Sequence, residues 1–483
     1  MYYRKLIGVL KALNRTTLDK LSDFIHSPYY NKSASIAAIY DYLKSQHPDY
    51  PQNEVSTDTI LEKIKGIDNE NDLAKKMTLL LDLVAKFLSI EYTYDPVVEQ
   101  IGTLKAYKKL HLTRQFQLLN LKLRKDIKSE PFHDFDFLWR VHKLEEECFE
   151  GFNNSVLRTT DNSMDEVFET LTRFYLTKKL CYLAEAVYRE SLFGVAVDTS
   201  VKEEVISFLN KGAENDDLYL SLYGNIFKMN LEKSPEKALP YYHKVKTTIK
   251  AFPELIPNEE IRSICVYLQN FCIKLINYDQ KKYLEDYMEF IQLRIDKGVL
   301  LNEGWINPQQ FKNIVSAAIK LNRGAWNKKF IERFEKHLPV EFRSDYYNLA
   351  LGQLYYHEKK FVKACKHLAI AGHNNKDIFF SFTVKKLLLK IGYESGDIFL
   401  LDPLIATYKK HLERYHHKIG ENAVILDKFI KYFRLLTNAN RDSDKMEILF
   451  NKLLAENNFA DKDWLISMTM KGLSNRSVSK ILQ

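Results

Sequence analysis

Apolar residues in this chain recur at helical spacing. In "NDLAKKMTLLLDLVAKFLSIEY" the positions Leu73, Met77, Leu80, Leu81, Val84, Phe87 and Leu88 follow one another by steps of three, four and one. Those steps place them on one side of a helix and leave the polar residues on the other. Asn71 or Asp72 is the expected N-cap, since a short polar side chain there accepts from an orphaned backbone N–H. In "TTLDKLSDFIHSPYYN" Thr16 or Thr17 starts a short helix, and Pro28 disfavours helical backbone at Ser27. The same periodicity predicts helices over about 34–46, 57–66, 97–110, 112–129 and 133–149. Two polar stretches interrupt it, at 45–59 and at 150–166. The second has no apolar period, so a boundary is expected there between an N-terminal helical region (1–150) and the remainder (151–483).

Composition narrows the fold class. Only 16 glycines and 12 prolines occur among 483 residues, too few turn residues for a sandwich or barrel of many hairpins. Hydrophobic residues make up 46% and charged residues 28%, which supports folding and argues against long disorder. The length exceeds what one compact core holds, so two domains or an extended solenoid are expected. The chain is predicted to be all-α.

Charge and cysteine add less. The balance is 71 basic against 63 acidic residues, net +8, an excess that permits contact with nucleic acid without requiring it. The five cysteines form no CxxC pair. Cys265 and Cys272 lie seven apart among apolar residues and read as small buried hydrophobes in a reducing compartment. Lys11 breaks the apolar patch near the start, and no stretch reaches the roughly 18 apolar residues of a membrane span. A cytoplasmic protein without membrane contact is expected.

The segment "YYNLALGQLYYHEKKFVKACKHLAIAG" holds Leu351, Gly352, Tyr355, Ala364 and Ala371 in the spacing of a helix hairpin. Thirty-four residues earlier stand Ala317-Ala318, Leu321 and Phe334, so small and large residues keep their places. Further on, Leu389 and Tyr393 repeat at an offset of 38, with Lys390 in the glycine's place. An earlier unit shows Gly224, Phe227, Ala238 and Tyr242, although Pro240 is expected to kink or split its second helix. These residues resemble the tetratricopeptide repeat, a 34-residue helix-turn-helix unit. Leu368 replaces the usual aromatic, Asn348 the usual tryptophan and Lys376 the closing proline. The whole chain also resembles uncharacterised bacterial helical proteins, from which no activity follows. The repeat resemblance implies a right-handed α-solenoid over 151–483 with a concave groove for a peptide or protein partner. Leu349 and Gln353 stand where the carboxylate-clamp subtype has its Lys and Asn residues, so that specificity is not implied. Tyr347, Asn348 and Gln353 are the candidate partner-binding residues.

Catalytic motifs are missing from the sequence: there is no phosphate-binding glycine loop and no nucleophile elbow. "HEKKF" lacks the second histidine of a zinc helix, Phe361 standing there, and "GYESG" sets Ser395 one place off. His111, His133 and Asp134 match the residue types of a helical metal-dependent phosphohydrolase. A loop after Pro131, with Phe132, Phe135 and Phe137 docked on the core, accounts for the same stretch. "YHHK" at 415–418 reads as a solvated basic helix end. No metal or cofactor is expected, and a non-catalytic scaffold is the first reading. The alternative is nucleic-acid binding by the basic segment 105–128, with Lys108, Lys122, Arg124 and Lys125 tracking phosphates.

Overall fold

The structure is a computed structural model that describes residues 2–153, 163–193, 198–212, 217–277, 282–371, 377–420, 422–439, 442–456 and 459–481. Among these residues the regular structure is helical and contains no strand. The chain divides into two compact units, Met1–Lys178 and Lys179–Gln483.

The first unit opens with α1 (Tyr2–Ala12), α2 (Arg15–His26), α3 (Ala34–Ser45), α4 (Thr57–Lys63) and α5 (Glu70–Tyr92). One core joins them: Leu6, Leu21, Ile39, Tyr40, Leu80 and Val84 are fully buried. The cap of α2 is Asn14, whose Oδ1 accepts from Thr17 N–H at 2.9 Å, and the cap of α5 is Asn69. Both caps therefore lie two or more residues before those read from the pattern. In each case the Asn side chain accepts from the N–H three residues on. Next come α6 (Pro96–Lys109), α7 (Thr113–Lys128), α8 (Phe135–Asn153) and α9 (Ser163–Phe193), with a core of Leu104, Leu123, Phe137 and Leu144. The boundary between units falls inside α9 and not at 150–166. Residues 154–162 of that stretch lie outside the described residues, while Met164, Asp165 and Glu166 are already helical.

The second unit continues with α10 (Thr199–Asn210), α11 (Leu218–Leu231), α12 (Pro235–Ala251), α13 (Asn258–Asn277) and α14 (Tyr283–Asp296). Then follow α15 (Pro308–Lys320), α16 (Gly324–Phe334), α17 (Val340–His357), α18 (Phe361–Ala371) and α19 (Ile378–Ser395). The last are α20 (Ile398–Ile419), α21 (Asn422–Ala439), α22 (Ser443–Ala455) and α23 (Lys462–Ile481). Neighbours in sequence pack on each other, most extensively α11 on α12, α13 on α14, α17 on α18 and α22 on α23. Pro240 does not split α12. Its ring lies on the exposed side, where the carbonyl left without a donor is open to water.

One turn recurs between helices. After α17 the Lys360 N–H donates to Tyr355 O and the Lys359 N–H to Tyr356 O, with Lys359 left-handed at φ 60°. This pairing satisfies two of the last carbonyls and turns the chain in three residues. His111, Asn322 and Gly396 hold the same place after α6, α15 and α19. Three of these four residues are not glycine, so a search for glycine breaks misses most of the turns.

Gly352 shows why α17 and α18 lie so close. A Cβ built there would stand 2.7 Å from Leu368 Cδ2 and 2.8 Å from its Cγ, and Leu368 is fully buried. The corresponding contact on α19 belongs to Gly392, whose Cβ would meet Leu401 Cδ2 at 3.0 Å. That is forty residues after Gly352, so Lys390 is not the glycine's counterpart. Gly352→Ala is expected to lower stability by about 1–2 kcal/mol, overpacking outweighing the gain in helix propensity. In a Leu368→Ala background the same change should cost less. Urea unfolding of the four proteins of this cycle measures both.

Candidate functional site

The three partner-binding candidates lie on one helix but face three neighbours. At 100° per residue, positions 347, 348 and 353 spread around the whole circumference of α17. Tyr347 is half-buried, and its hydroxyl is pushed up by burial and by the carboxylates of Glu335 and Glu332. Asn348 is buried against α18: it pairs with His367 Nδ1 at 2.8 Å and donates to Ser344 O. Gln353 turns to α15, where its Nε2 donates to Ser316 Oγ at 3.3 Å. They do not form one surface. Of the three, Gln353 has polar capacity to spare, since its Oε1 is buried without a partner.

Gln353 leads to a cluster of lysines that motif reading missed. Lys312 lies one turn before Ser316 on the same side of α15. Its ammonium is half-buried and forms no ion pair among the described residues. Burial pushes it below the usual lysine value, with Asp377 acting against the shift and Lys386 adding to it. Asp377 is itself engaged as the N-cap of α19, accepting from Phe379 and Phe380 N–H. Lys386 and Lys390, one turn apart on α19, both reach Asp461 at the start of α23, at 2.8 and 2.5 Å. Lys390 keeps only 12% of its side-chain exposure and lies 5.4 Å from the Trp464 ring centre. Lys385 is also pushed down by burial and forms no ion pair among the described residues. Of these lysines, Lys312 and Lys385 are desolvated and form no ion pair among the described residues, with Asp377 near enough to act on Lys312.

Local sequence explains the arrangement. Helix α19 reads "IFFSFTVKKLLLKIGYES", and an apolar helix buried along much of its surface carries its lysines inward with it. Asp461 holds φ 58°, a left-handed backbone that Asp adopts more readily than most residues. Beside it, Glu394 accepts from Trp464 Nε1 at 2.9 Å and from the Tyr356 hydroxyl, and pairs with Lys359. The available signal was three lysines within six residues of an otherwise apolar helix.

Two of the four basic residues read as phosphate contacts in the first unit are neutralised. Lys108 pairs with Glu147 and Glu150, and Arg124 grips Glu145 with two hydrogen bonds of 2.6 Å. Lys122 and Lys125 are exposed and form no ion pair among the described residues. His133 stacks on Phe137 at 4.2 Å, Asp134 caps α8 through Phe137 N–H, and His111 occupies the left-handed turn after α6. All three have structural roles. No group of three or more His, Cys, Asp or Glu side chains placed to hold a metal occurs among the described residues. None of the helices in that set is long and apolar enough to cross a membrane. Cys265 and Cys272 are fully buried, their thiols pushed up to about 12 by burial.

The chain matches no family model, no curated protein and no solved structure.

Asp461→Asn removes the carboxylate and keeps a residue suited to the left-handed backbone. It should destabilise the chain by about 2–3 kcal/mol, because Lys386 and Lys390 lose their counter-charge. Burial works to raise the Asp461 carboxyl, yet the two ammonium groups hold it well below the usual carboxylate range. In the acid window the unfolded chain therefore binds the proton more readily than the folded one. The stabilisation is present above about pH 4 and is lost as pH falls below it. Thermal melts between pH 7 and pH 3 should show the wild type and Asp461→Asn converging in acid.

Proposed function

We propose that this chain is a non-catalytic helical-repeat scaffold whose second unit binds a protein partner through an acidic, extended segment. The observation that carries this reading is Lys312, a desolvated ammonium that forms no ion pair among the described residues, near Lys386 and one turn from the Ser316 that holds Gln353. Buried charge is costly unless paired, so the site is incomplete alone and is completed by a carboxylate. The hairpin packing at Gly352 and Leu368 supports the tetratricopeptide-like reading of α17 and α18. A right-handed stack of such hairpins would align α15, α17 and α19 along one groove. Of the residues read from sequence, Gln353 belongs to this face, while Tyr347 and Asn348 support it from behind.

Nucleic-acid binding through the first unit now rests on Lys122 and Lys125, since Lys108 and Arg124 are committed to carboxylates. One titration separates the readings. A fluorescein-labelled peptide of alternating Glu and Leu should bind, its Lys-Leu counterpart should not, and Lys312→Met should weaken binding about tenfold. The same substitution should raise the stability of the free protein by about 0.5–1 kcal/mol, because a desolvated charge is removed. Unchanged peptide affinity in Lys312→Met would exclude this face. Binding of a single-stranded oligonucleotide that is lost in Lys122→Glu/Lys125→Glu would move the function to the first unit.

A further inference from the structure

A cavity of about 330 Å³ lies among α7, α8 and α9 of the first unit, away from the lysine cluster and independent of the reading above. Its floor is apolar, made of Ile127, Phe137, Leu138, Val141 and Leu144. Its polar lining holds Arg124, Lys128 and Arg173 with Glu145 and Glu169. Glu145 is taken by the Arg124 fork, and this pair forms part of the wall. Burial pushes the Glu145 carboxyl up, with Arg124 holding it back. Lys128 is exposed at the rim and forms no ion pair among the described residues.

We propose that this cavity binds a small amphipathic monocarboxylate, with its apolar body on Phe137, Leu138 and Val141 and its carboxylate at Lys128. Three features argue for that class. The volume is at the lower end of small-molecule sites, about 300–1,000 Å³, which suits a medium-length acyl chain or a fused aromatic ring and excludes a dinucleotide. The lining is mainly apolar with a few polar groups grouped on one side, the usual composition of a site that orients one end of its guest. The lining holds three cations against two carboxylates, and Lys128 is the cation at the exposed rim.

The test uses the full chain and the fluorescent probe 8-anilinonaphthalene-1-sulfonate, an aromatic anion. Decanoate should displace the probe, and decylamine should require at least tenfold more. Val141→Trp fills the cavity and should abolish the probe signal. Lys128→Glu, on the exposed rim, should weaken displacement by decanoate about tenfold and leave displacement by decanol unchanged. It also keeps the test valid if circular dichroism shows that Val141→Trp unfolds. Equal displacement by the amine and the carboxylate would overturn the proposal, and so would a signal that persists in folded Val141→Trp.

Discussion

An amphipathic helix cannot bury its apolar stripe alone, and in this chain many helices meet that need against a neighbour in sequence, while α1 packs on α5 and α15 chiefly on α17. The close approach of α17 and α18 is the clearest case. With hydrogen in place of a side chain at Gly352, Leu368 moves within 3 Å of where a Cβ would stand. The two helix axes then come near enough for Ala364, Leu368 and Ala371 to be fully buried. Packing of this local kind needs short turns, and the left-handed residues at 111, 322, 359 and 396 supply them by reusing orphaned carbonyls. Local contacts also carry little loop-closure entropy, so the architecture grows by addition of neighbours.

Against that apolar background the polar exceptions stand out. Asp461 holds two lysines, Glu394 gathers three donors, and Tyr242 donates to Asp286 within a ring of aromatics. These groups are satisfied, and their energetic role is to bind one helix to another in a single register. Lys312 and Lys385 are different, because the fold desolvates them without an ion pair among the described residues. A protein selected only for stability would place an apolar residue at such a position.

The first unit solves its charge problem in the opposite way. Glu145, Glu147 and Glu150 of α8 take up Arg124 and Lys108, so part of the basic run of 105–128 is an internal seam between helices. Lys109, Arg114, Lys122, Lys125 and Lys128 remain outward. The same seam walls the apolar cavity. Charge neutralisation and the cavity wall in this unit are therefore one feature of how α7 and α8 pack.

Much of the fold was legible in the sequence. Seven apolar positions from Leu73 to Leu88 define the face of α5, five of them buried, and scarce glycine and proline point to long helices. Periodicity is a property of the chain itself, so it survives without knowledge of neighbours. The candidate site was not legible, because a helix such as α17 can present Tyr347, Asn348 and Gln353 to three neighbours at once. Whether a lysine is solvated, paired or stranded depends on what the next helices bring to it. Sequence alone determined an all-helical chain with a close-packed glycine hairpin. Only the tertiary structure decided that Arg124 is spent on Glu145 while Lys312 is desolvated without an ion pair among the described residues, since electrostatic cost is set by distance and burial and not by residue type.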